Sequence, residues 1–266
     1  MEVITRDGLR LRARHLLPAP SAPAGLGVVL AHGFSGALDK PAVRAIAERL
    51  RRWAGVVVFD FRGHGGSGGH STLGDAEVLD VDAVVAAARA LGYRQLVSLG
   101  FSMGGSSVLR HAALMGGRTR HPVDAVVAIS AASRWYRTET PAMRRLHWAV
   151  QTRSGRWTAA RLLGTRVDPR GWPQPPTSPD RLVARIAPIP LLLVHGDRDP
   201  YLSTDNATDL YAAAGEPRSL WLWDGFGHAE TAMDDARTDQ VGRFLPRLLA
   251  MPRPAQAKEA IRCAQP

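Results

Sequence analysis

Gln95-Leu-Val-Ser-Leu-Gly-Phe-Ser-Met-Gly-Gly105 is the segment from which the rest of the chain becomes readable. An apolar run too short for a helix, Gln95–Phe101, meets Ser102 and passes at once into a helical pattern carried by Val108, Leu109, Ala112 and Ala113. A serine on such a sharp strand-to-helix turn needs a strained backbone, and the residues two before and two after it must be nearly free of side chain. Gly100 and Gly104 meet that condition, so the G-x-S-x-G pattern stands in the context that gives it mechanical meaning. The turn is expected to lift the Ser102 hydroxyl above the carboxyl end of a sheet, at the positive N-terminus of the following helix.

Working outward, Gly27–Ala31, Val56–Phe61, Asp124–Ser130, Ile189–His195 and Ser219–Trp223 are equally short and rich in Val, Leu or Ile. Gly, Asp or Pro bounds them, which reads as buried parallel strands. Between them, apolar residues recur at helical spacing: Val43 to Leu50, Val78 to Ala88, Ala207 to Ala214, and Val241 to Leu248. Asp39 with Pro41 is expected to open the first of these helices. Val3–Thr5 and Leu9–His15 flank Asp7-Gly8, a hairpin signal. The fold class is therefore α/β with a mostly parallel sheet. The alternation breaks from Ala131 to Pro188, where Pro, Gly, Trp and Arg dominate and one helical stretch falls near Pro141–Thr152. The expected organisation is a core over 1–130 and 189–250, a cap insertion over 131–188 above one end of the sheet, and a flexible C-terminal tail over 251–266.

With 45% hydrophobic and 22% charged residues the chain is globular in composition, not disordered. The single cysteine, Cys263, excludes an intramolecular disulfide framework or a cysteine metal cluster in the monomer. Met1–Gly8 has no basic-then-apolar leader, and no apolar run reaches the ~18 residues of a membrane span, so the expectation is a soluble, cytoplasmic protein. The net charge of +10 is almost all arginine, because Lys40 and Lys258 are the two lysines. Such a bias, beside so much alanine, is what a GC-rich genome writes whatever the function. Nine arginines fall within 134–170 against Glu139 and Asp168. No basic helix or stripe with interleaved stacking residues accompanies them, so nucleic acid is not an expected partner. Trp135, Tyr136, Trp148 and Trp157 lie among these arginines. They read either as an apolar pocket with a cationic rim that recruits an anionic substrate portion, or as part of a solvated arginine-rich surface.

A serine nucleophile requires a base, and the base requires a carboxylate to hold its tautomer. The Ile189–Val194 run ends in His195-Gly196-Asp197-Arg198-Asp199, which puts Asp199 in the loop past a strand's carboxyl end. The Ser219–Trp223 run is followed by Asp224-Gly-Phe-Gly-His228, with His228 between small residues in the equivalent loop. The order Ser102, Asp199, His228 is that of nucleophile, acid and base after an elbow of this kind. Asp197 and Asp224 are the alternative acids. His32-Gly33-Phe34-Ser35-Gly36 follows another strand, so that the amides of Phe34 and Met103 can face a developing oxyanion. Gly63-His-Gly-Gly-Ser-Gly68 matches G-x-G-x-x-G in letters, but no helix opens directly after it, and a buttressing turn is the better reading. His64 and His70 are then loop histidines, while His32 and His195 fix turns by hydrogen bonding. Trp221 and Trp223 share one face of a strand and read as packing residues. His111, His121 and His147 have no metal-ligand spacing, so neither a metal nor any other cofactor is expected.

Together these motifs resemble a serine hydrolase of the α/β-hydrolase superfamily over roughly residues 1–250. The carriers are His32-Gly-Phe34, Asp60-Phe-Arg-Gly-His-Gly-Gly-Ser67, Gly100-Phe-Ser-Met-Gly104, His195-Gly-Asp-Arg-Asp199 and Gly227-His228. The resemblance implies Ser102 as nucleophile, Asp199 as acid, His228 as base, and Phe34 and Met103 as oxyanion amides. It also implies an eight-stranded sheet flanked by helices and a short helical cap. From the aromatic residues among the cap arginines, Trp135, Tyr136 and Trp148 are the expected substrate-pocket residues. Ser102 stands where dehalogenase and epoxide-hydrolase relatives carry aspartate, and Met103 where proline-specific peptidases favour tryptophan. The expected function is hydrolysis of a small-molecule carboxylic ester or thioester through an acyl-enzyme. Two alternatives stay open: a non-catalytic small-ligand-binding protein on the same fold, and an acyltransferase or perhydrolase using the same triad.

Overall fold

The computed structural model describes residues 1–115, 121–135 and 138–252. The strands are β1 (Glu2–Ile4), β2 (Arg10–Leu16), β3 (Leu26–Ala31), β4 (Gly55–Phe59), β5 (Gln95–Phe101), β6 (Ala125–Ile129), β7 (Leu191–Gly196) and β8 (Arg218–Trp223). They form one eight-stranded sheet in the order β1-β2-β4-β3-β5-β6-β7-β8. β2 runs antiparallel to β1 and β4, and the ladder from β4 through β8 is parallel.

The helices are α1 (Pro41–Leu50), α2 (Glu77–Ala90), α3 (Met103–Met115), α4 (Pro141–Gln151), α5 (Arg153–Thr158), α6 (Pro179–Leu182), α7 (Asp205–Ala213), α8 (Ala229–Ala232) and α9 (Asp235–Leu249). Every residue of β3, β4 and β6 is buried, which is why these runs read as continuous apolar stretches rather than alternating ones. Successive side chains still point to opposite faces. Val28, Leu30, Val56 and Val58 pack with Val43 and Ile46 of α1 and Val241 and Leu245 of α9. Val29, Val57, Val126 and Leu193 pack with α2, α3 and α7 through Val81, Val85, Leu109 and Leu210. Burying one such side chain is worth about 1.5–3 kcal/mol, so the two-sided core holds the strand ends in a fixed array.

Three local expectations are revised. Asp39 does not cap α1; the capping position is Lys40, which makes no side-chain cap bond, and Pro41 begins the helix. Asp39 lies one residue too early and pairs instead with Arg12 and Arg14 of β2 at 2.5 and 2.9 Å. β4 stops at Phe59 rather than Phe61, because the Asp60 carboxylate accepts from Leu38 N (2.7 Å) and Gly66 N (2.9 Å) and turns the chain. β7 begins at Leu191 rather than Ile189, since Pro188 and Pro190 have no N–H to give a ladder.

The stretch 131–188 carries α4, α5, a π-helical turn over Ala159–Leu163, α6 and a 3-10 turn over Val183–Ile186. Isolated bridges pair Thr165 with His64 and Val167 with Ser71, tying it to the loop after β4. Its last segment packs against the sheet: Val183 and Ile186 are buried among the residues of α3 and β7. By contrast, α4 has no buried residue.

Candidate active site

Ser102 occupies the turn between β5 and α3 with φ +50°, a left-handed conformation that costs a non-glycine residue roughly 1–2 kcal/mol. The surroundings enforce it. A Cβ on Gly100 would meet Gly104 O at 2.3 Å, and one on Gly104 would meet Ala31 O and His32 O at 2.5 Å. Ser102 N donates to Ile129 O (2.9 Å), which locks the turn to the neighbouring strand β6.

His228 lies in the loop after β8, with Nε2 2.9 Å from Ser102 Oγ and Nδ1 2.6 Å from Asp199 Oδ2. Because a carboxylate only accepts, Nδ1 carries the proton toward Asp199 and Nε2 is left to accept from the serine hydroxyl. Asp199 has a fully buried side chain, and its Oδ1 accepts from the backbone N–H groups of Tyr201 (2.8 Å) and Leu202 (3.0 Å). Burial alone would raise its pKa, but the hydrogen bond and charge of His228, with the two backbone donors, hold it below the ordinary carboxylate range. The alternative acids point elsewhere: Asp197 is exposed and accepts from Gly225 N (2.7 Å), and Asp224 is exposed. Ser130, at the end of β6, fixes the histidine loop by accepting from Ala229 N at 3.1 Å.

The amides of Phe34 and Met103 flank Ser102, and among the described residues neither N–H has an acceptor. The Gly33–Phe34 peptide is held from behind, its Gly33 carbonyl accepting from His32 Nδ1 (2.7 Å) and Gly36 N (2.9 Å). In a trans peptide the N–H opposes the C=O, so fixing Gly33 O aims the Phe34 N–H away from His32. His32 is buried, and burial followed by the nearby His64 pushes its pKa down to about 3. It is therefore neutral, donating through Nδ1 while Nε2 accepts from Phe61 N (3.2 Å). His64 is also buried, and its ring bridges Phe34 O (2.6 Å) and Arg62 O (2.9 Å). His195 fixes its own loop through Leu202 O at 3.0 Å.

Several residues that shape the site are not evident from sequence motifs. Glu230, buried two positions after His228, accepts from Gly33 N at 3.0 Å. A Cβ on Gly36 would lie 2.8 Å from that carboxylate, so the glycine at this position makes room for it. Glu77 is fully buried and takes four hydrogen bonds from Ser71, Thr72 and Gly74, fixing a wall of the cavity. The Tyr201 ring stands 4.6 Å from that of His228.

Two cavities, of about 320 and 340 Å³, meet at Ser102, His228, Phe34, Leu146 and Tyr201. Trp135 lines the first, paired with Trp172 at 5.3 Å between ring centroids. Trp148 does not line either cavity; it is 48% exposed on the outer side of α4. Trp157 is likewise exposed, and Tyr136 lies outside the described residues. Among the described residues no three His, Cys, Asp or Glu side chains gather as metal ligands would, and no helix is long and apolar enough to cross a membrane.

The chain belongs to the alpha/beta hydrolase fold family, whose sequence model matches residues 28–160. It is 26% identical to the uncharacterized protein YfhR of Escherichia coli O157:H7, over 92% of this chain and 79% of that protein. Among solved structures, the esterase Pf2001 of Pyrococcus furiosus superposes with a TM-score of 0.69 at 23% identity, covering 93% of this chain and 91% of that one. The esterase RhEst1 of Rhodococcus sp. ECU1013 also gives 0.69, at 20% identity over 93% and 98% of the two chains. These likenesses establish a shared fold.

Proposed function

We propose that this protein is a serine hydrolase that cleaves a carboxylic ester or thioester through an acyl-enzyme. The observation that carries the reading is the continuous line from Ser102 Oγ through His228 to buried Asp199, at 2.9 and 2.6 Å, beside two amides without partners among the described residues. That its structural neighbours from Pyrococcus furiosus and Rhodococcus sp. ECU1013 are esterases supports the same reading.

In this mechanism Ser102 Oγ bonds to the acyl carbon as its proton passes to His228 Nε2. The carbonyl oxygen becomes an oxyanion held by the Phe34 and Met103 amides, each such donor being worth about 3 kcal/mol of barrier. The tetrahedral intermediate collapses as the histidine returns the proton to the departing oxygen or sulfur. Water, deprotonated by the same histidine, then attacks the acyl-enzyme and releases the acid and Ser102. Asp199 stays ionised throughout and orients the ring. In the same reading, 1–130 and 189–250 form the catalytic core and 131–188 caps the pocket.

A panel of p-nitrophenyl esters and acyl-CoA thioesters, followed by product analysis with an added competing alcohol, tests this. Release of free acid is expected, with the ratio of ester to thioester turnover fixing the leaving group. Transfer of the acyl group to the added alcohol in preference to water would make the protein an acyltransferase instead.

A further inference from the structure

The cavity of about 320 Å³ beside Ser102 has polar groups that are nearly all engaged. Trp135 Nε1 donates to Pro176 O and Trp172 Nε1 to Thr72 O, both at 2.6 Å, so the paired indoles offer the cavity carbon surface rather than donors. The Ser71 and Thr72 hydroxyls donate to Glu77, and the Ser106 hydroxyl to Ala132 O. Burial holds the pKa of His147 down, which leaves it neutral at pH 7.

The lining charges are paired with one exception. Arg134 faces Asp180 at 2.6 Å and Asp209 at 3.9 Å. Arg170 grips Asp168 through Nε (3.0 Å) and Nη2 (2.7 Å), which neutralises the one carboxylate in the wall. Arg156, half-buried on α5, is different. Its Nη1 donates to Val150 O (3.3 Å) and Gln151 O (2.9 Å), the last carbonyls of α4. Among the described residues its Nε and Nη2 have no acceptor, and no carboxylate lies within ion-pair reach. The free Nε–Nη2 edge is the planar two-donor fork that matches a carboxylate.

We propose that this cavity takes a carboxylate-terminated arm of the substrate, with an apolar or aromatic body against Trp135 and Trp172 and the carboxylate on the free edge of Arg156. An uncompensated cation in an otherwise apolar chamber favours an amphipathic ligand over a wholly apolar one. The inference rests on the hydrolase reading only in treating that arm as part of a cleavable ester.

Two pairs of esters test it. In p-nitrophenyl hydrogen adipate and its methyl ester the charge is on the acyl side; in 4-carboxyphenyl butyrate and its methyl ester it is on the leaving group. Binding is measured by calorimetry on Ser102→Ala, where turnover does not interfere, and kcat/KM on the unaltered protein. In one pair the acid should bind about 10–100-fold more tightly than its methyl ester. That preference should fall with added salt, vanish in Ser102→Ala/Arg156→Gln, and survive in part in Ser102→Ala/Arg156→Lys, which keeps the charge without the fork. A cooperative unfolding transition in each variant establishes that it is folded. Equal binding of acid and methyl ester in both pairs, or a preference that persists in Arg156→Gln, overturns the proposal. Carboxylate preference in Ser102→Ala without cleavage of any ester by the unaltered protein would sustain this site and remove the hydrolase reading. Cleavage without preference would do the reverse.

Discussion

In the proposed mechanism, Asp199 is the side chain on which Ser102 depends without touching it. Its carboxylate is fully buried yet ionised, because His228 and two backbone N–H groups together outweigh the burial cost. Asp199→Asn keeps the shape but presents an amide to His228 Nδ1, which favours the wrong tautomer for accepting the serine proton. A loss of about 10⁴-fold in kcat with little change in KM is expected, measured on the best ester of the panel. A loss of less than tenfold would place the orienting charge elsewhere. The positions that the fold brings together, Ser102, Asp199 and His228, were legible in the sequence because each is a local statement: a glycine-flanked serine after a strand, an acidic residue past one strand end and a histidine past the next. Glu230 and Tyr201 were not, since their roles come from contacts between segments far apart in the chain, such as Glu230 with Gly33. Glu77 was not legible either, although its partners Ser71, Thr72 and Gly74 are local, because they belong to an irregular loop with no periodicity.

Helices α1 and α9 hold one face of the sheet, and Arg49 joins them through ion pairs to Asp235 (3.0 Å) and Asp239 (2.5 Å). Arg49 forks Asp239 through Nε (2.8 Å) and Nη2 (2.5 Å), and Trp53 Nε1 adds a third donor at 3.3 Å. The Arg49 hydrogen bond, working against burial, lowers the Asp239 pKa to about 2. A carboxylate depressed on folding contributes stability that is complete above its unfolded value of ~3.9 and is lost as pH falls through the folded value. Asp239→Asn should therefore lower the thermal midpoint by a few degrees at pH 7. The gap from the unaltered protein should close between about pH 4 and pH 2, as read by thermal denaturation across that range. A gap that is constant with pH would mean that the pair contributes packing rather than charge. Helix periodicity located both helices, as it did α2 and α7. It does not orient Trp148, because α4 buries none of its residues and no core determines which of its faces turns inward.

Across the whole molecule, a sheet with helices on both faces carries Ser102, Asp199 and His228, while α4 lines both chambers as a ridge between them. Leu146 on that ridge touches both chambers and the shared space at Ser102. Leu146→Ala should widen the passage between them, raising kcat/KM for bulky or branched acyl esters severalfold relative to acetate esters; an unchanged ratio would show that the ridge does not set selectivity. The α/β class and the break at Ala131 were legible because alternating short strands and helices leave few other topologies. The interior of the 131–188 segment was less so. Trp172 reads from sequence as part of a proline-rich exit, and only the folded chain sets it against Trp135.

Labelling with a small fluorophosphonate, followed by intact-mass and peptide mapping, tests whether Ser102 is an activated nucleophile without assuming a substrate. The expected result is a single adduct on Ser102 that is absent from a folded His228→Ala variant. Folded protein that takes no adduct, or takes one equally well without His228, would contradict activation of Ser102 by His228 and favour a pocket that binds a ligand without cleaving it.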